Sequence, residues 1–474
     1  RLLPSWRLMI SLTQCFGALA LYMNRINISF AIVCMTEGPK LTNFNVTGIE
    51  ADNSTQNVEA DFDWNRKTRG FILSSFYIGY LMTQIPAGWL LGMQKVSPKW
   101  LIFSGGLITV VLSFLSPVAA GLHWGCLVAV QIIKGLACGV YYPCQQAIIS
   151  AWAAPDERSR FSALSASGSS LGSIIGFISA GILCKEGFAG GWPSIFYVYA
   201  CVGGLWLVAW FVCISDSPSN HRFVGEKEAN YITSVTWEDL QGGEKNIVPW
   251  KAMLKSPPLY AIWTIDFTYH WLWYTALSLL PTFINDMYNI DLKTNGLLTS
   301  LPYLVNFFLT LFASWLADFL LRSCLPTGVV RKIMVTCQSL IPAILVIAIG
   351  FMQNQFAASM TCLIIAVGLL GFGRSGHIVN TIDVSPRFAG AITGVGNTIG
   401  TLAGILAPIV AGAMVPNGTA NEWRNAFYLA AALSIFGNII FVIFAKGEVQ
   451  PWAKREEKDE DAAERTKVLQ TDQL

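Results

Sequence analysis

The sequence predicts an all-α membrane protein, twelve transmembrane helices arranged as two six-helix bundles, and three observations carry that prediction. Of 474 residues, 53% are hydrophobic and only 13% are charged, with a mean hydropathy of +0.50, far from the balance of a soluble domain. Apolar windows of about 20 residues, the length a helix needs to cross a hydrocarbon core of roughly 30 Å, recur along the chain. The longest polar connector lies near the middle, with six such windows on either side. The windows are too long and continuous for the alternating strands of a β-barrel.

Taken in order, the first six spans fall at 8–34, 69–92, 99–119, 125–152, 160–183 and 193–214. The second six fall at 258–283, 294–321, 330–352, 358–382, 388–414 and 424–445. The chain thus divides into an N-terminal bundle (1–214), a connector (215–257), a C-terminal bundle (258–446) and a charged tail (447–474) whose KREEKDEDAAER run reads as solvated and disordered. Two bundles of six place a site between them, near the bilayer midplane. Glycines recur in the fifth span (Gly168, Gly172, Gly176, Gly181) and in the eleventh (Gly390, Gly394, Gly396, Gly400, Gly404), equivalent places where helices can approach closely.

Loop charge gives the orientation. Arg1, Arg7, Lys95, Lys99, Arg158, Arg160, Arg222, Lys227, Arg322, Arg331 and Lys332 all fall on the side shared by both termini, which is therefore expected to be cytosolic. The opposite loops carry the glycosylation acceptors Asn45, Asn53 and Asn417. The run Arg66-Lys67-Thr-Arg69 on that opposite side breaks the pattern. The first span is longer than the apolar core of a cleavable signal peptide.

Several function classes are excluded. A net charge of +2 gives no basic surface for nucleic acid. The 11 cysteines are scattered, without metal-ligand spacing, and read as small packing residues. No nucleophile motif, metal cluster or phosphate loop suggests an enzyme or a cofactor. The expected partners are the lipid bilayer and a small anionic substrate, met by a monomer.

The anion follows from charges inside the spans. Arg25 sits in ALYMNRINISFAIVCM, where burying it costs about 2.5 to 3.5 kcal/mol on insertion scales. It is either paired within the protein or faces an aqueous cavity, where a guanidinium can grip a carboxylate or phosphate with two hydrogen bonds. Lys134 in the fourth span either snorkels to an interface or supplies a second cation. In the tenth span Arg374 and His377, three residues apart, are expected on one helix face. The clear intramembrane acid is Asp266, one turn before His270. Cations therefore outnumber acids in the membrane core. Tyr22, Tyr141, Tyr142, Tyr269, Trp271 and Tyr274 lie near these charges and either line a cavity or pack. His270, His377 and Asp266 are coupling candidates, the imidazoles serving as proton carriers or as neutral structural groups.

GYLMTQIPAGW (79–89), WAAPDERSR (152–160), TYHWLWYTALSLLPTF (268–283), VNTIDVSPRFAG (379–390) and FAKGEVQPWA (444–453) closely resemble the solute-carrier-seventeen anion transporters of the major facilitator superfamily. That group includes sialin, vesicular glutamate transporters and sodium/phosphate cotransporters. The resemblance, which runs from about Arg25 to Ala453, implies that Arg25 is the family's first-span anion-binding arginine. It also exposes departures. Gln131 stands where many members have arginine, and Cys138 where they have the glutamate of proton coupling. Leu73 and Tyr269 replace a histidine and an arginine of the glutamate-transporting members, and Arg374 replaces a small polar residue. The superfamily's loop signature survives as Asp318 and Arg322, with Ser314 in place of glycine, and implies a cytosolic gate there.

The expected function is secondary active transport of small organic or inorganic anions by alternating access, coupled to H+ or Na+, in the plasma membrane or a lysosomal or vesicular membrane. Arg25, Lys134 and Arg374 would neutralise the anion, while Tyr22, Gln131, Tyr269, Tyr274 and Asn380 would orient it. Sodium-driven phosphate uptake and a non-transporting anion receptor are the alternatives.

Overall fold

The structure, a computed structural model, describes residues 6–37, 61–92, 96–153, 158–218, 221–226, 228–230, 232, 248–323, 325–352, 355–386 and 388–453. Calls on Arg1, Asn45, Asn53, Lys95, Lys227 and the tail after Ala453 lie outside these residues. Among the described residues the chain is helical and holds no strand. The N-terminal half contains α1 (Trp6–Glu37), α2 (Arg66–Gly92), α3 (Pro98–Leu122), α4 (Trp124–Cys138), α5 (Tyr141–Trp152), α6 (Arg158–Glu186) and α7 (Trp192–Cys213). A short α8 (Trp250–Met253) precedes the C-terminal half: α9 (Pro257–Tyr288), α10 (Leu292–Arg322), α11 (Thr327–Ile349), α12 (Phe356–Leu369), α13 (His377–Val384), α14 (Ala389–Met414) and α15 (Ala420–Phe444).

Among the described residues ten spans are long and apolar enough to cross a membrane. The other two helices of membrane length, α2 with 27 residues and α9 with 32, are less apolar because they carry the polar and tyrosine-rich faces described below.

Two predicted spans are not continuous helices. The fourth is α4 and α5, separated at Gly139 and Val140. Pro143, in the first turn of α5, has no N–H for the carbonyl of Gly139, so the regular ladder stops there. The tenth is α12, a 3-10 turn (Leu370–Arg374) and α13, joined through Ser375 and Gly376. Gly376 takes φ −93° and ψ −110°, which no helix can propagate. The breaks occupy equivalent places in the two halves, and the second overturns the expectation that Arg374 and His377 share one helix face. Arg374 is exposed at the end of the 3-10 turn, whereas His377 is fully buried at the start of α13.

Cysteine pairing also departs from expectation. Cys34 and Cys184, read as packing residues, form a disulfide with their Cα atoms 6.3 Å apart. The bond ties the ends of the neighbouring helices α1 and α6; 150 residues of separation left no signal in the sequence.

Within each half the first helix packs on the fifth span, α1 on α6 and α9 on α14. Between halves, α6 meets α10, α14 meets α2, and α1 meets α9. The α6–α10 approach needs glycine on both sides. A Cβ at Gly181 would stand 2.7 Å from Leu292 O, and one at Gly296 3.0 Å from Gly181 Cα.

The interface is sealed on the side away from the chain ends. Arg66 makes a two-pronged ion pair with Asp286, one arm at 2.7 Å, and Trp423 Nε1 donates to the same carboxylate at 2.9 Å. Lys185 pairs with Asp291 at 2.9 Å and Lys293 with Glu186 at 3.2 Å, both across the halves. Ser29 Oγ lies 2.9 Å from the carbonyls of Leu277 and Ser278. The basic run that broke the charge pattern thus supplies one side of a latch. On the chain-end side, no ion pair among the described residues joins the halves.

The disulfide is checked by mapping thiols in the denatured protein. Cys34 and Cys184 should resist alkylation until reduced, while Cys201 and Cys126, both exposed, label directly. A free Cys34 thiol before reduction would contradict the pairing.

Candidate functional site

Arg25 lies where α1, α2 and α9 meet, about 18 Å along the helix from the far end of α1. It is 6% exposed. Five rings surround its guanidinium, with centroids at 4.6 Å (Tyr77), 4.8 Å (Tyr274), 5.3 Å (Tyr80), 5.5 Å (Phe76) and 5.6 Å (Tyr22). The ring faces attract the cation, each by about 0.5 to 2 kcal/mol. They leave the edge formed by Nε and Nη2 unused. Nε and Nη2 have no partner among the described residues, and no described carboxylate pairs with Arg25. Of the two readings of this arginine, the paired one finds no acidic partner among the described residues.

The cage belongs to both halves. Phe76, Tyr77 and Tyr80 come from one face of α2, Tyr22 from the preceding turn of α1, and Tyr274 from α9 across the interface. Tyr77 and Tyr274 touch, their ring centroids 4.8 Å apart. Any rocking of one half against the other therefore opens or reshapes the cage. The three α2 aromatics were missed in the sequence, although their i, i+1, i+4 spacing in FYIGY marks one helical face.

Lys134 is fully buried and does not snorkel. Its Nζ has no hydrogen-bond partner among the described residues and sits 5.9 Å from the Phe196 ring. Gln131, one turn earlier, is also buried with its Nε2 unpartnered. Cys138, at the family's glutamate position, contacts Thr109 Oγ1 at 3.3 Å. The interior of the N-terminal half thus presents three donor side chains, Arg25, Gln131 and Lys134, with free hydrogens.

The C-terminal half presents a different group. His377 Nε2 lies 3.2 Å from Asp266 Oδ1, and His377 Nδ1 lies 3.1 Å from Gln338 Oε1. His270 Nδ1 donates to the carbonyl of Asp266 at 2.7 Å. Tyr269 bridges the imidazoles, its centroid 4.9 Å from His270 and 5.1 Å from His377. His270 in turn lies 5.5 Å from the Tyr274 ring of the cage. Gln338 was not singled out in the sequence, because a buried amide on an apolar helix has no local signature.

Other predicted site residues lie elsewhere. Asn380 donates to Lys446 O at 2.9 Å and so holds α13 to the segment after α15, away from the cage. Asp318 and Arg322 are exposed, one turn apart, at the chain-end tip of α10. Asn417 is exposed in the turn before α15, its amide donating to Glu422 at 2.8 Å.

Two helical bundles, sealed together on one side around a buried cation whose cage both of them build, define a membrane transporter of the alternating-access kind. The sequence profile of the Major Facilitator Superfamily matches residues 14–408. The chain is 35% identical to sialin of Homo sapiens over 457 residues, covering 95% of this chain and 91% of that one. It is also 35% identical to vesicular glutamate transporter 2 of Homo sapiens, covering 94% of this chain and 78% of that one. Among solved structures, a D-xylose–proton symporter superposes with a TM-score of 0.71 at 13% identity, over 94% of this chain and 100% of that one, a likeness of fold alone. The chain belongs to the major facilitator superfamily and, within it, to the solute-carrier-seventeen family; it is a transporter and not an enzyme.

The cage makes a prediction about stability. Tyr274→Phe keeps a ring over Arg25 and should leave thermal unfolding in detergent nearly unchanged. Tyr274→Ala should cost about 3 to 5 kcal/mol, for the cavity and the lost cation–π contact together. Equal melting of the two variants would show that the ring does not hold the cation.

Proposed function

We propose that the protein is a secondary active transporter of small carboxylate anions, and that Arg25 is the anchor that receives the anion. One observation carries this reading: a guanidinium buried at the junction of both halves keeps two hydrogen-bonding nitrogens unused. Such an arrangement is costly unless a ligand completes it. A carboxylate entering the cage accepts from Nε and Nη2 together. The names of the relatives agree, since one of them transports glutamate.

Lys134 and Gln131 supply further donors on the N-terminal half, and Arg374, exposed within a membrane span, draws anions in from the open side. Tyr22, Tyr269 and Tyr274 orient the substrate. In this reading both termini are cytosolic, because basic loops collect on their side and the Cys34–Cys184 disulfide on the opposite side suits an oxidising lumen or exterior. The arrangement is then inward-facing, with Arg66–Asp286 as its closed outer latch. A lysosomal or vesicular membrane fits the relatives best. Asn380 serves closure of the C-terminal half, and Asp318 and Arg322 serve the cytosolic gate.

Proteoliposomes loaded with labelled glutamate, sialic acid, phosphate, urate or nucleotide test this by counterflow. At least one carboxylate should exchange, Arg25→Ala should lower that exchange by at least about 100-fold, a loss of some 2.7 kcal/mol in anion binding, and elution as a folded monodisperse protein should persist. Undiminished exchange by Arg25→Ala would sink the role given to the residue.

A further inference from the structure

We propose that the Tyr303 hydroxyl is a further contact for the transported anion: it donates to an oxygen of the anion apart from the carboxylate that Arg25 grips, and so selects anions that carry one. The proposal rests on the anion-site reading above and deepens it by naming what the C-terminal half recognises.

The hydroxyl is buried and unused. Tyr303, on α10, is 1% exposed, and its hydroxyl has no hydrogen-bond partner among the described residues. Leaving such a group dry and unbonded is costly. Tyrosines elsewhere in the fold find partners: Tyr141 donates to Gln14 O at 2.8 Å, Tyr199 donates to Gly176 O, and the Tyr77 hydroxyl lies 3.4 Å from Ser278 Oγ. Among the described residues the other tyrosine hydroxyl left this way is that of Tyr288, at the last residue of α9 and away from the cage.

Position ties the Tyr303 hydroxyl to the anion site. Tyr303 lies about 16 Å along α10 from Leu292, and Tyr77 about 16 Å along α2 from Arg66, both measured from the side away from the chain ends, so both stand near the depth of Arg25. The ionisable groups in electrostatic reach of the hydroxyl are those of Tyr77 and Tyr22, two rings of the cage. Tyr303 is not itself among the five rings around the guanidinium, so it stands behind that layer. An anion whose carboxylate occupies Nε and Nη2 of Arg25 therefore meets Tyr303 with a different oxygen.

The ring is fixed from two sides. It stacks on Phe177 of α6 across the interface, with centroids 5.5 Å apart and planes 22° apart, and meets Trp273 of α9 edge-on at 5.5 Å. Trp273 precedes the cage residue Tyr274 and stacks on Tyr269. Aromatic packing thus holds the hydroxyl in place without a hydrogen bond of its own, and an incoming acceptor has little left to order. An anion lacking that acceptor leaves the hydroxyl unpaired and is rejected accordingly.

Two measurements on the full chain test this. The first needs no ligand: Tyr303→Phe keeps the ring and should leave the unfolding temperature of the empty protein in detergent unchanged, or raise it by up to about 2 °C. A fall of more than about 3 °C would show that the fold uses the hydroxyl and would overturn the proposal. The second is competition against counterflow of labelled glutamate or sialic acid in proteoliposomes, using paired acids that differ in oxygens beyond the carboxylate: glucuronate against cyclohexanecarboxylate, and 4-hydroxybutyrate against butyrate. The wild type should be inhibited more strongly by the oxygen-bearing member of at least one pair. Tyr303→Phe should raise the concentration of that member needed for half inhibition by about tenfold while moving its partner less than about twofold. An equal shift for both members would place the residue in packing, and a shift in neither would remove it from the site; each overturns the proposal, as does a wild type that discriminates in neither pair. Exchange that survives Arg25→Ala, or a wild type that exchanges neither labelled probe, is a different failure: it takes away the anion-site reading, and this proposal with it.

Discussion

The structure turns on a positive charge that the fold buries and leaves incompletely bonded. Arg25 is held mainly by ring faces, which attract a cation while leaving Nε and Nη2 unbonded, so the guanidinium stays in the membrane with no carboxylate among the described residues paired to it. A resident acid would have satisfied the arginine permanently and closed it to solutes. The aromatic cage is the alternative: enough attraction to fold, with the directional bonds kept open.

The surrounding architecture serves that cage. Because rings from α2 and α9 touch over Arg25, the contact between the halves and the proposed anion site are the same place. The latch of Arg66, Asp286 and Trp423, with the two lysine–carboxylate pairs, holds one side shut and leaves the other without ionic ties among the described residues. The paired breaks in the fourth and tenth spans fall on each side of the site, bringing irregular backbone to the middle of the membrane only where protein surrounds it. The disulfide ties α1 to α6 at the end of the N-terminal half away from the chain termini.

Much of this was legible in the sequence. Spans showed because an apolar window is a direct consequence of bilayer thickness, and most observed ends lie within a few residues of the expected ones. Arg25, Lys134, Asp266 and His377 showed because charge is expensive where they stand. What did not show depends on partners distant in sequence. Cys34 and Cys184 look like any two small buried residues until α1 and α6 are laid together. Arg66 looked like a flaw in the charge pattern until Asp286 met it. Pro143 and Gly376 announced breaks only weakly, since membrane helices tolerate both residue types. Asn380 looked available for substrate because nothing local reveals that the segment at Lys446 folds back on it.

The central claim is that an anion completes Arg25. An anion-bound structure of the full chain in a lipid nanodisc tests it most directly. The account predicts a carboxylate within hydrogen-bond distance of Nε and Nη2 of Arg25, inside the ring cage and reached from both halves. Density for the anion elsewhere, with Arg25 still among its five rings and its two nitrogens still unbonded, would contradict it.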